Sequence, residues 1–72
     1  MSTSKKNLPP IARNIRKYRN EKGISQDKLS KLTDLSFATI TKIEAGDTPN
    51  PTVETMKKIA DALGVTIDDL MQ

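Results

Sequence analysis

What constrains this chain most is how often it is told to stop. Gly23, Gly46 and Gly64 each end a stretch of periodic apolar residues, and Ser25, Ser36, Thr52 and Thr66 stand just ahead of such stretches. Glycine accepts the left-handed backbone that closes a helix, and a Ser or Thr oxygen accepts an otherwise unpaired amide at a helix start. The punctuation predicts about five short helices with brief connections, which leaves no room for an internal repeat or a second domain.

The apolar spacing supports this. Pro9-Pro10 suits a first helical turn, and Ile11, Ile15 and Tyr18 then form a stripe, with Arg13, Arg16, Lys17 and Lys22 on other faces. Ser25 caps SQDKLSKLT, where Leu29 and Leu32 are expected inward and Asp27 suits the helix dipole. Thr52 starts a fourth helix whose inward stripe is expected to be Val53, Met56, Ile59, Ala60 and Leu63. Thr66 starts TIDDLM, with Ile67 and Leu70 inward and Asp68 and Asp69 in its first turn.

One stretch resists this scheme. LSFATITKIEAG, from Leu35 to Gly46, is rich in β-branched residues and holds the sole Phe, which favours a strand. Yet Ile40 and Ile43 stand three apart, between a cap at Ser36 and a stop at Gly46. A strand here would have no partner run to pair with, and a lone strand is not viable. The segment is therefore expected to be a helix, with Phe37, Ala38, Thr41 and Lys42 left facing out.

Composition removes several functions. A chain of 72 residues, 35% hydrophobic and 3% aromatic, suits one small aliphatic-cored domain rather than a deep catalytic cleft. It has neither Cys nor His, so it lacks a thiolate, the usual general base and the commonest metal ligand. Nothing marks a catalytic site, a metal site or a cofactor. No apolar run approaches the ~18 residues of a membrane span, and the first residues lack a signal-peptide core. The expectation is a non-enzymatic protein of the cytoplasm.

Charge is unevenly spread. The first 24 residues carry seven basic residues against Glu21, whereas the rest carries five Lys against eight acids, for a net +3. This asymmetry fits a nucleic-acid partner; it equally fits a solvated helix and a flexible tail. Residues 1–8 are expected to form that loose arm, and residues 9–72 the domain.

Two short helices joined by a three-residue turn match the helix-turn-helix arrangement, whose second helix enters the major groove. Small side chains on its outer face permit close approach. Lys42 can donate to guanine O6 or N7, and Phe37 and Ala38 can meet thymine methyls. The competing expectations are burial of Phe37 against a neighbouring helix and a merely solubilising role for Lys42 and for the basic residues of the first helix.

Residues 11–70 resemble the DNA-binding domain of phage repressors and Cro proteins, the lambda-repressor-like helix-turn-helix. Gly23-Ile24-Ser25-Gln26, Leu29, Ser36, Ile40, Ile43-Glu44, Gly46, Pro51, Ile59-Ala60, Leu63-Gly64-Val65 and Leu70 carry the resemblance. It implies a compact all-α five-helix domain that binds an inverted-repeat operator in double-stranded DNA as a homodimer, usually as a repressor.

The resemblance also implies roles. Gln26 would touch a phosphate and brace the third helix, while Ser36, Phe37, Ala38 and Lys42 fall on DNA-contacting positions. Arg19 and Glu44 would pair between helices one and three as scaffold. The candidate DNA-binding set is thus Ser25, Gln26, Ser36, Phe37, Ala38, Thr39, Thr41 and Lys42, with residues 36–45 as the recognition helix. The chain departs from the family pattern at Asp34, where Gly is usual in the turn, and at Ser30, where Ala is usual. Its loop at residues 47–50 carries no basic residue. A second reading is an antitoxin or adaptor whose helix-turn-helix mainly holds a protein partner such as a toxin.

Overall fold

A computed structural model describes residues 8–72. Its helices run in the order α1 (Pro10–Lys22), α2 (Gln26–Thr33), α3 (Phe37–Glu44), α4 (Val53–Leu63) and α5 (Ile67–Met71), with no strand among the described residues. The strand-like segment is helical: Ile40 and Ile43 are buried in α3, where context overrides β preference.

The caps set the boundaries. Ser25, Ser36, Thr52 and Thr66 each accept the amide of the residue three further on, at 3.0–3.1 Å. Thr66 and Asp69 close a reciprocal capping box at α5. Gly23 and Gly64 end α1 and α4 in the left-handed region, and Asp34 does the same for α2 with φ 61°. An aspartate enters that region at modest cost, so the turn forms without glycine.

At the end of α3 the division of labour is finer than expected. Ala45 closes the helix in right-handed geometry, and Gly46 takes the left-handed step with φ 88°. A Cβ on Gly46 would stand 2.9 Å from Leu8 Cδ2 and 3.2 Å from Pro9 Cδ. Leu8, the last residue of the expected arm, is half-buried here; residues 1–7 of that arm lie outside the described residues.

Ile11, Ile15, Leu29, Ile40, Ile43, Ile59, Ala60, Leu63 and Leu70 form the core, with Tyr18, Met56 and Ile67 packed on its edge. Helix α1 runs through the middle and packs on α3, α4 and α5, while α2 packs on α3 and α4. Asn14 fastens α5 by donating to the Leu70 carbonyl at 2.8 Å.

Two expected core residues are on the surface. Leu32 is 51% exposed, because the buried face of α2 is set by Leu29, Ser30 and Thr33. At about 100° per residue, Leu32 falls roughly 100° from the middle of that face. The Thr33 hydroxyl tolerates burial by donating to Leu29 O at 2.8 Å. Val53 is 67% exposed. It is the first residue of α4 and lies about 70° off the line through Ile59, Ala60 and Leu63.

Candidate nucleic-acid interface

Helix α3 is buried on one side by Ile40, Ile43 and Glu44, which leaves a continuous outer stripe. Phe37 is 51% exposed, so it is not a core residue. Ala38 and Lys42 are exposed beside it, and Thr41 is half-buried with its hydroxyl on Ala38 O at 3.0 Å. Ser36 caps the helix, its hydroxyl 2.8 Å from that of half-buried Thr39. The structure thus brings Ser36, Phe37, Ala38, Thr41 and Lys42 onto one face. Ser25 stands apart from this stripe, exposed at the cap of α2.

The last buried residue of α3 is a charge that three side chains surround. The Glu44 carboxylate is buried, with 1% of the side chain exposed. Arg19 donates to it twice, Nε to Oε2 at 2.7 Å and Nη2 to Oε1 at 3.0 Å. Gln26, the first residue of α2, donates its amide to Oε1 at 3.0 Å. Arg16 Nε stands 3.7 Å from Oε1, and Arg16 Nη2 donates to the Glu44 backbone carbonyl at 3.3 Å. Arg19 also donates Nη1 to Ile24 O at 2.9 Å, which ties in the turn before α2.

This array explains how a carboxylate tolerates burial at the negative end of a helix. Fork geometry on Arg19 matches both oxygens, and Gln26 takes a second lone pair on Oε1. Gln26 therefore ties the start of α2 to the last residue of α3. Arg16 is the member that the sequence alone does not disclose. Its place on the outer side of the α1 stripe reads as a solvated position, and only the folded chain brings it to the end of α3.

Among the described residues no helix is long and apolar enough to cross a membrane. Residues 15–70 match the family Helix-turn-helix. This chain belongs to that family, the lambda-repressor-like helix-turn-helix proteins. It is 38% identical over 60 residues to the HTH-type transcriptional regulator SlrR of Bacillus subtilis (strain 168), covering 83% of this chain and 40% of SlrR. It is 33% identical over 64 residues to the uncharacterized HTH-type transcriptional regulator RghRB of the same organism, covering 89% of this chain and 46% of RghRB. The chain thus spans less than half the length of each relative. No solved structure matches it significantly.

Proposed function

We propose that this helix-turn-helix domain binds double-stranded DNA sequence-specifically and regulates transcription as a repressor, with α3 in the major groove. The observation that carries this reading is the exposed stripe of Phe37, Ala38, Thr41 and Lys42 on a helix anchored from behind. An exposed aromatic ring beside small side chains on this helix suits contact with thymine methyls. Lys42 supplies a donor for guanine. The first amides of α2 and α3 have no intrahelical carbonyl to reach, and they suit phosphates, with Ser25, Gln26, Ser36 and Thr39 around them. Similarity to proteins named transcriptional regulators supports the regulatory role.

One α3 covers too few base pairs to single out a site in a genome. Two protomers are therefore expected on a two-fold operator, with half-sites about 34 Å apart. The test is a binding-site selection on the wild type and on Lys42→Ala and Phe37→Ala. The wild type is expected to return an inverted repeat, and each variant to relax defined positions of it, by about 1–3 kcal/mol for a bidentate contact. Identical motifs from all three proteins would refute the role given to α3.

A further inference from the structure

Some basic residues among those described are paired with an acid of their own helix, and others are not. On α2 and α4, Lys31 pairs with Asp27 at 3.2 Å, Lys57 with Asp61 at 3.3 Å and Lys58 with Glu54 at 4.0 Å, each within its own helix. On α1 the pattern fails. Lys17 and Glu21 have the same four-residue spacing but form no ion pair, and Arg13 has none among the described residues. Arg13 instead donates to the Leu8 carbonyl at 2.6 Å, and Lys17 Nζ lies 5.2 Å from the centre of the Tyr18 ring.

These unpaired cations share a groove. Leu8, Arg13, Arg16, Lys17 and Asn20 line a cavity of about 370 Å³, in which Arg16 is shared with Glu44 and Arg13 and Lys17 are not paired. Asp69, on α5, acts on Lys17 only through space and from outside that lining. The positions 13, 16, 17 and 20 follow one face of α1 over about 10 Å, roughly the axial rise of three phosphates along one DNA strand. The groove also adjoins α3, because Arg16 reaches the backbone carbonyl of Glu44 at its last turn. The loop that follows α3, residues 47–50, carries no basic residue of its own.

We propose that the outer face of α1, with Arg13, Arg16, Lys17 and Asn20, is a second phosphate-binding surface that grips the backbone of the duplex read by α3. This rests on the DNA-binding reading above. The occupant is a phosphodiester strand because Arg13 and Lys17 bring to the groove two cations with no acid partner among the described residues, and Asn20 adds an amide. Phosphate contacts of this kind position the domain and carry no base identity.

Counterion release gives the test a number. Each phosphate contact contributes about 0.9 to the slope of log affinity against log salt concentration on duplex DNA. Binding of the full chain to a mixed-sequence duplex is measured by fluorescence anisotropy over a salt series. The wild type is compared with Arg13→Gln/Lys17→Gln, with Lys17→Gln alone, and with the control Lys57→Gln/Lys58→Gln. The double variant is expected to lower the slope by about 1.8 and the single by about 0.9, while the control keeps the wild-type slope.

Circular dichroism checks that each variant is folded, and the single exposed substitution carries the test if the double variant is not. A wild type that binds with a flat salt response, or not at all, overturns the DNA-binding reading itself. A steep wild-type slope that the α1 variants share overturns this inference alone. So does an equal loss in the α4 control, which would mean that net charge rather than the α1 groove sets the slope.

Discussion

Replacing Glu44 with alanine tests the centre of the scaffold. The substitution removes a carboxylate that is 1% exposed and leaves Arg19, 13% exposed, with Nε and Nη2 unpartnered. The Gln26 amide loses its acceptor at the same time. Breaking a buried pair by deleting one partner costs about 3–5 kcal/mol, because the other charge stays behind. Arg19 keeps its bond to Ile24 O and has a little access to water, so the lower end, about 3 kcal/mol, applies.

A domain of this size has a total stability of about 4–11 kcal/mol at the usual 0.05–0.15 kcal/mol per residue. The loss is thus a large share of the whole. It corresponds to a fall in Tm of roughly 12–24 °C, at about 4–8 °C per kcal/mol for a small domain. Thermal and urea denaturation followed by circular dichroism measure it, and Glu44→Gln, which keeps an acceptor for Gln26, should fall between wild type and Glu44→Ala. A Glu44→Ala protein melting within about 2 °C of wild type, well below that range, would refute the reasoning.

Three further outcomes are expected. Gly46→Ala would put a Cβ against Leu8 and Pro9 at φ 88°, and should cost about 1–3 kcal/mol by urea denaturation with an unchanged m-value. The Thr66 backbone amide, then its hydroxyl, hold the Asp69 carboxyl below its ordinary 3.8, against a small opposing effect of burial and with help from Lys17. A depressed folded-state value means that its stabilisation is complete above the unfolded value and is lost as pH falls through the folded one; the stability gap between wild type and Asp69→Asn should therefore close below about pH 3.8, as urea midpoints across a pH series would show. Finally, Arg19→Met with Glu44→Leu should recover much of the stability that Glu44→Ala loses, since apolar replacement of a whole buried pair is often neutral. A double variant as unstable as Glu44→Ala in the same melts would contradict that.

The architecture was legible because its signals are local. Each cap and left-handed residue acts on a neighbour within a few positions, so Ser25, Ser36, Thr52, Thr66, Gly23 and Gly64 mark helix ends without reference to the rest of the fold. Burial was less legible, because it depends on what a helix packs against. Leu32 and Leu29 are equally apolar, yet α2 turns Ser30 and Thr33 inward and leaves Leu32 in water. A small polar residue with its hydroxyl on a backbone carbonyl gives no hydrophobic signal. The outer stripe of α3 followed from Ile40 and Ile43 alone, since two inward residues fix the direction of the rest. The bonds of Arg16 to Glu44 and of Asn14 to Leu70 span 28 and 56 positions, and no local pattern announces them.

The cost of burying Glu44 bears on how α3 is held. Apolar contacts at Ile40 and Ile43 are non-directional, so they resist separation of α3 from the core more than they resist rotation about its axis. A turn by one residue, about 100°, would carry Phe37 and Lys42 off their face. Hydrogen bonds to Glu44 depend on angle as well as distance. They come from α1 through Arg19 and Arg16, and from α2 through Gln26. Two helices thus fix the rotation of α3 at its last turn, while Ser36 fixes its first. On the proposed reading, that rigidity lets a few small side chains address particular base pairs, because a stripe free to rotate would average over neighbouring positions. Apolar packing supplies the stability of the domain, and the buried carboxylate sets the direction in which α3 points.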